Sequence, residues 1–120
     1  MNYLKALLIA VLGWSSMVLA EPVKLAFLYP SPVGEAGWSY AHDKGRRYLE
    51  QYYSDKVLTD FADKVPTGRE SRNVIQKYAE LGFNIIFTAS KDFAVQTSQA
   101  AKEFPKVQFV NIGDIASPPI

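Results

Sequence analysis

Trp38, Tyr40 and His42 alternate at the mouth of a helix-patterned segment, behind a loop built from Pro30, Pro32, Gly34 and Gly37. An apolar run, Val23 to Tyr29, empties into that loop. In an open α/β sheet, ligands bind beyond the carboxyl ends of the strands, where loops and helix N-termini converge. A tryptophan placed there offers a flat apolar face suited to stacking on a planar ligand. The plainer reading makes Trp38 the first core residue of an amphipathic helix, and the loop alone leaves both open. His42 is the only histidine in the chain. A Ser–His–acid triad can be drawn with Ser39 or Ser90 and Asp43. Asp43 is adjacent to His42 on a helix, however, and points elsewhere. His42 is therefore read as a helix-surface or cleft-rim residue rather than a base. Gly34-x-x-Gly37 is neither a dinucleotide fingerprint nor a phosphate-binding loop, and no Gly-x-Ser-x-Gly elbow occurs. Asp60 and Asp63 lack a third ligand nearby and read as a solvated strand end rather than a metal site. No catalytic constellation is complete, no metal or cofactor is implied, and the chain is read as a non-enzyme.

The 120 residues bound one domain. Met1 to Lys5 forms a short n-region, Ala6 to Gly13 an apolar h-region, and Val18-Leu19-Ala20 a small-x-small end before Glu21-Pro22. That is the build of a secretory signal peptide over residues 1–20, with cleavage after Ala20. The apolar run is shorter than the ~20 residues a bilayer span needs, so no membrane anchor is expected. The whole chain holds 13 Lys+Arg and 12 Asp+Glu, and losing Lys5 leaves twelve of each. A neutral mature chain with no basic patch speaks for neither nucleic acid nor an anionic membrane surface. Cysteine is absent, which excludes a thiol nucleophile, a thiolate metal site and a lipid-modified cysteine at the cleavage point. The expected destination is the periplasm.

The elements that must position Trp38 follow from periodicity. The first strand, Val23 to Tyr29, is mostly apolar, as suits a strand buried on both faces of a parallel sheet. The first helix is predicted to bury Trp38, Ala41, Gly45, Tyr48, Leu49 and Tyr52, with Arg46, Arg47, Glu50 and Gln51 outward. Lys56 to Phe61 reads as the second strand. Thr67 and Glu70 read as a capping box that opens a second helix, whose buried face is Val74, Ile75, Tyr78 and Leu81. Gly82 ends it. Asn84 to Thr88 is the third strand. Ser90 and Asp92 are the candidate caps of a third helix, with Phe93, Ala94, Thr97, Ala100, Ala101 and Phe104 inward and Pro105 as its stop. Val107 to Ile112 is the fourth strand, and Gly113 to Ile120 shows no periodic pattern. Strands alternating with helices predict a flavodoxin-like parallel sheet, order 2-1-3-4, with helices on both faces and right-handed crossovers. Residues 21–120 then form a single α/β lobe. The loops after strands 1 and 3 meet at the switch point, where Trp38 and Ser90 to Phe93 face one crevice.

Lys24-Leu-Ala-Phe-Leu-Tyr-Pro-Ser-Pro-Val-Gly-Glu-Ala-Gly-Trp-Ser-Tyr-Ala-His-Asp-Lys-Gly-Arg46 resembles the opening of the basic membrane protein family. These are substrate-binding proteins of ABC transporters, of the purine-nucleoside-binding type. The likeness continues through Val65-Pro66-Thr67-Gly68, Ile86-Phe87-Thr88-Ala89-Ser90 and Ala101 to Phe109. It implies one lobe of a two-lobed, type I periplasmic binding protein that takes a purine nucleoside or base and works with an ABC transporter permease. In the nucleoside-binding branch an Asp-Lys-Ser-Phe-Asn motif supplies the ring that stacks on the base. Glu35 matches its acid and Trp38 its aromatic, while Ser39 stands in place of the asparagine. The ligand-binding set that the resemblance and the loops together imply is Tyr29, Glu35, Trp38, Ser39, Ser90, Asp92 and Phe93.

The family's members continue into a second lobe, and this chain is expected to be the N-terminal lobe only, a fragment of such a protein. The alternatives are a one-lobe interaction protein acting through a partner chain or a dimer, and a non-functional gene fragment. Without a second lobe, the fourth strand would expose Val107, Phe109, Val110 and Ile112 along an edge, which predicts self-association.

Overall fold

The computed structural model describes residues 19–113, so the predicted signal peptide, apart from Leu19 and Ala20, lies outside it. The patternless tail beyond Gly113 lies outside it as well. The elements are β1 (Val23–Leu28), α1 (Trp38–Tyr53), β2 (Val57–Ala62), α2 (Arg69–Glu80), β3 (Ile85–Thr88), α3 (Ala94–Glu103) and β4 (Gln108–Asn111). The four strands are parallel in the order β2-β1-β3-β4, as the alternation of strand and helix patterns predicts. The apolar β1 occupies the middle, where both of its faces are covered. Successive side chains of a strand point to opposite faces. Ala26, Leu28 and Ile86 therefore meet Ile75, Tyr78 and Ala79 of α2 and Ala100 of α3 on one side. Leu25, Phe27 and Tyr29 lie on the other, against Tyr40 and Leu49 of α1. There the register sets Phe27 opposite Phe87, and their rings stack 4.7 Å apart at 9°.

Helix α1 sits the other way round from the periodic prediction. Its buried residues are Ser39, Asp43 and Arg46, whereas Tyr48 and Tyr52 are 61% and 67% exposed and Ala41 and Gly45 also face outward. Of the predicted inner face, only Leu49 keeps to the sheet side. The polar face is buriable because it is closed by hydrogen bonds, and an unpaired buried charge would be costly. Asp43 Oδ1 accepts from the Tyr29 hydroxyl at 3.1 Å and from Arg46 Nε at 2.6 Å, while Oδ2 accepts from Arg47 Nε at 2.9 Å. Arg46 also donates to Thr59 Oγ1 at 2.9 Å and packs 4.7 Å from the centre of the Phe61 ring. Periodicity registers apolar atoms and is blind to this closure.

Two smaller corrections follow the same logic. Gly68, at φ +82°, takes the N-cap position of α2, so Thr67 falls one residue too early and no capping box forms. Ser71 Oγ donates to the Gly68 carbonyl at 2.6 Å there, and Ser71 is buried in place of the 54% exposed Leu81. In α3, Phe93, Thr97 and Ala100 face inward as expected, while Ala94 and Ala101 face solvent. Gly82, at φ +84°, ends α2 in the left-handed conformation that glycine adopts without strain.

Candidate functional site

The carboxyl ends of β1 and β3 are neighbours, and the two loops that leave them frame a cleft of about 270 Å³. It is lined by Pro30, Ser31, Trp38, Ser90, Lys91, Asp92 and Gly113. One wall is the loop from Pro30 to Gly37. Val33, nearly buried, anchors it, and its N–H donates to Asp63 Oδ2 at 3.1 Å. Ser31 Oγ and Ser39 Oγ share a hydrogen bond of 2.6 Å, which joins the loop to the first turn of α1. Gly37, at φ +96°, makes the reversal into the helix, and its carbonyl accepts the first helical bond from Ala41. Trp38 follows at once and is 48% exposed. Its indole Nε1 donates to the Ala89 carbonyl at 2.6 Å, so the first wall is tied directly to the second.

The second wall is the turn after β3. Ser90 caps a short 3-10 turn, Lys91–Phe93, by accepting the Asp92 N–H on its Oγ at 3.1 Å. Phe93 is fully buried beneath that turn. Asn111, at the end of β4, donates from Nδ2 to the Ser90 carbonyl at 2.8 Å and to Thr88 Oγ1 at 2.9 Å. Gly113 closes against the same turn. A Cβ there would stand 2.8 Å from Lys91 Cα, a distance no side chain tolerates.

The structure thus brings together Trp38, Ser90 and Asp92, three of the seven residues expected at the ligand. Ser39 is buried and positions Ser31 rather than facing the cleft. Phe93 and Tyr29 are buried behind it, and Glu35 lies exposed in the loop outside the lining. Burial first, and then the carboxylate of Asp43, push the Tyr29 phenol well above its usual range, so it stays a neutral donor to Asp43. Burial acts to raise the Asp43 carboxyl, but the hydrogen bonds and charge of Arg46 outweigh it and hold Asp43 below its ordinary value. Lys91 falls in the stretch Ser90 to Phe93 expected at the crevice, whereas Pro30, Ser31, Asn111 and Gly113 were not among the expected site residues. The serine and proline sat inside the loop singled out for Trp38. Asn111 and Gly113 had a signal only in their position, at the carboxyl end of the next strand over.

The arrangement is chemically suited to holding a small molecule. A flat indole stands on one side, and hydroxyl, carboxylate and ammonium groups stand on the other. Those groups suit a ligand with an aromatic face and a polar edge. Among the described residues no cluster of three or more metal-ligating side chains occurs.

Comparison with known proteins agrees with the fold. A family model described as ABC transporter substrate-binding protein PnrA-like matches residues 22–117. A purine-binding protein of Brucella abortus is 38% identical over 89 residues, which are 74% of this chain and 25% of the relative. A Haloferax volcanii protein provisionally named an ABC transporter glucose-binding protein is 29% identical over 89 residues, 74% of this chain and 22% of that one. Among solved structures, an ABC transporter solute-binding protein from Conexibacter woesei superposes with a TM-score of 0.66 at 20% identity. That match covers 72% of this chain and 28% of the other, and at that identity it speaks for the fold. The chain spans about a quarter of the length of the curated relatives it matches.

Proposed function

Because the chain belongs to the PnrA-like family of ABC transporter substrate-binding proteins, we propose that it binds a purine base or nucleoside in the cleft beside Trp38. The observation that carries this reading is the half-exposed indole, held at the cleft wall by its bond to Ala89. The purine-binding name of the Brucella abortus relative supports it. Trp38 is the stacking surface, and Ser31, Ser90 and Asp92 meet the polar edge of the ligand. Lys91 lines the same wall. On this reading residues 1–20 direct export and are cleaved, residues 21–120 are one lobe, and the loaded protein delivers its ligand to a permease outside the cytoplasm. No reaction is assigned to it.

At about 270 Å³ the cleft falls just below the ~300–1,000 Å³ usual for small-ligand sites, so weak binding is expected. Calorimetric titration with adenine, adenosine and guanosine tests the proposal, with glucose as the competing ligand class. Stacking of a base on an aromatic ring contributes ~1–3 kcal/mol, so Trp38→Ala should weaken binding roughly 5- to 150-fold. No heat from any purine at millimolar concentration, or a stronger response to glucose, would overturn it. A second reading, self-association, is favoured by the outward Tyr48 and Tyr52, whose rings stack 5.8 Å apart in solvent. Sedimentation separates the two: a purine-binding monomer leaves no room for it.

A further inference from the structure

The Trp38 ring is held at more points than a stacking surface requires. Its N–H is fixed to Ala89 on the far side of the cleft mouth. One helical turn further along α1, His42 lies against the indole, with ring centroids 4.5 Å apart and planes inclined at 59°. Residues four apart share a helix face, so the contact follows from the spacing of the two residues. Inclined rings at such a separation are an arrangement that the aromatic quadrupole favours. Trp38 lines the cleft and His42 is not among the lining residues, so the imidazole braces the indole without itself forming part of the cleft wall.

We infer that His42 is a positioning residue for the cleft: it backs the indole while Ala89 holds the N–H, and so fixes the plane of Trp38 before a ligand arrives. This rests on the purine-binding reading of the site. Two consequences follow. The indole N–H is already committed, so Trp38 offers a ligand only its π face, and discrimination between ligands falls to Ser31 beside it and to Ser90 and Asp92 across the cleft. Without His42 the indole turns about a single hydrogen bond, and a ligand must order it on binding. Ordering one such side chain corresponds to about a two- to twelvefold loss of affinity.

The test uses the full chain with Trp14→Phe, which leaves Trp38 as the only tryptophan. Fluorescence anisotropy and acrylamide quenching of Trp38 are read without ligand, and adenosine is then titrated. His42→Ala should lower the anisotropy, raise the quenching and weaken adenosine binding about two- to twelvefold, with the urea midpoint little changed. His42→Phe, which keeps a ring behind the indole, should restore all three. Unchanged anisotropy and quenching in His42→Ala would overturn the inference whatever adenosine does. So would a His42→Phe chain that behaves like His42→Ala. If His42→Ala does not fold, His42→Gln is read in its place with the same expectations. A chain that ignores every purine but whose free indole responds to His42→Ala overturns the binding reading and upholds the positioning of Trp38.

Discussion

Removing the Asp43 carboxylate should cost this domain more than removing any exposed aromatic of the same helix. Asp43 is fully buried and receives four bonds: from Tyr29, from Arg47, and from Arg46 at 2.6 and 3.4 Å. In Asp43→Ala the Tyr29 hydroxyl loses its partner in the core, and the Arg46 guanidinium, 11% exposed, loses its main counter-charge. Breaking a buried ion pair from one side costs ~3–5 kcal/mol. Arg46 keeps Glu50 and Thr59 as partners, and Arg47, with its side chain 54% exposed, can rehydrate. The lower end, about 3 kcal/mol, is therefore expected, a large part of the ~5–15 kcal/mol that holds a domain of this size folded. Urea unfolding followed by circular dichroism measures it, with Asp43→Asn as a control that keeps the shape and loses the charge. The pH dependence has a definite sign. The folded Asp43 carboxyl lies below its unfolded value of ~3.9. Its contribution is therefore fully present above that value and is lost as the pH falls through the lower, folded one. The gap between wild type and Asp43→Asn should stay constant above about pH 5 and close only in acid. An Asp43→Ala chain within ~0.5 kcal/mol of wild type, or a gap that closes as the pH rises, would refute the reasoning.

Gly113→Ala should disturb the cleft directly, because its new methyl would stand 2.8 Å from Lys91. A loss of ~1–3 kcal/mol is expected from the overpacking, together with weaker purine binding on the proposed reading, read by urea unfolding and calorimetry. Tyr48→Ser and Tyr52→Ser should each change stability by less than ~0.5 kcal/mol, since both rings face solvent. Losses above ~2 kcal/mol would mean that the aromatic stripe of α1 is buried after all.

The sheet was legible because its signal is redundant. The apolar run from Val23, the interposed helices and the short connections together point to a parallel arrangement, and the flavodoxin-like order 2-1-3-4 expected of it is the one observed. That Trp38, Ser90 and Asp92 share one cleft was legible because a switch point needs only strand ends and loops to be located. The facing of α1 was not. Its two stripes, Trp38-Ala41-Tyr48-Tyr52 and Ser39-Asp43-Arg46, are both helical in spacing, and the second wins through partners contributed by Tyr29, just beyond β1, and Thr59, on β2. Those partners lie outside the helix, 14 and 13 residues from the side chains they meet, beyond the reach of any helical periodicity. The same applies to Asn111, which stitches the turn after β3 from the end of β4.

The central position of β1 has a consequence for how the domain is made. Although it is the first strand of the chain, Val23 must wait for Val57 on one side and Leu25 for Ile85 on the other before its ladders can close. Loop closure has to come before such distant pairings repay it, and topologies of this kind fold slowly. Until β3 is present, the backbone of β1 has only one neighbouring strand, and the Ala89 carbonyl is not yet there to receive Trp38. The cleft therefore waits on the strands that come after: a chain folded only as far as β2 has half a sheet and no second wall, and Asn111 and Gly113 close the site only once β4 has joined β3.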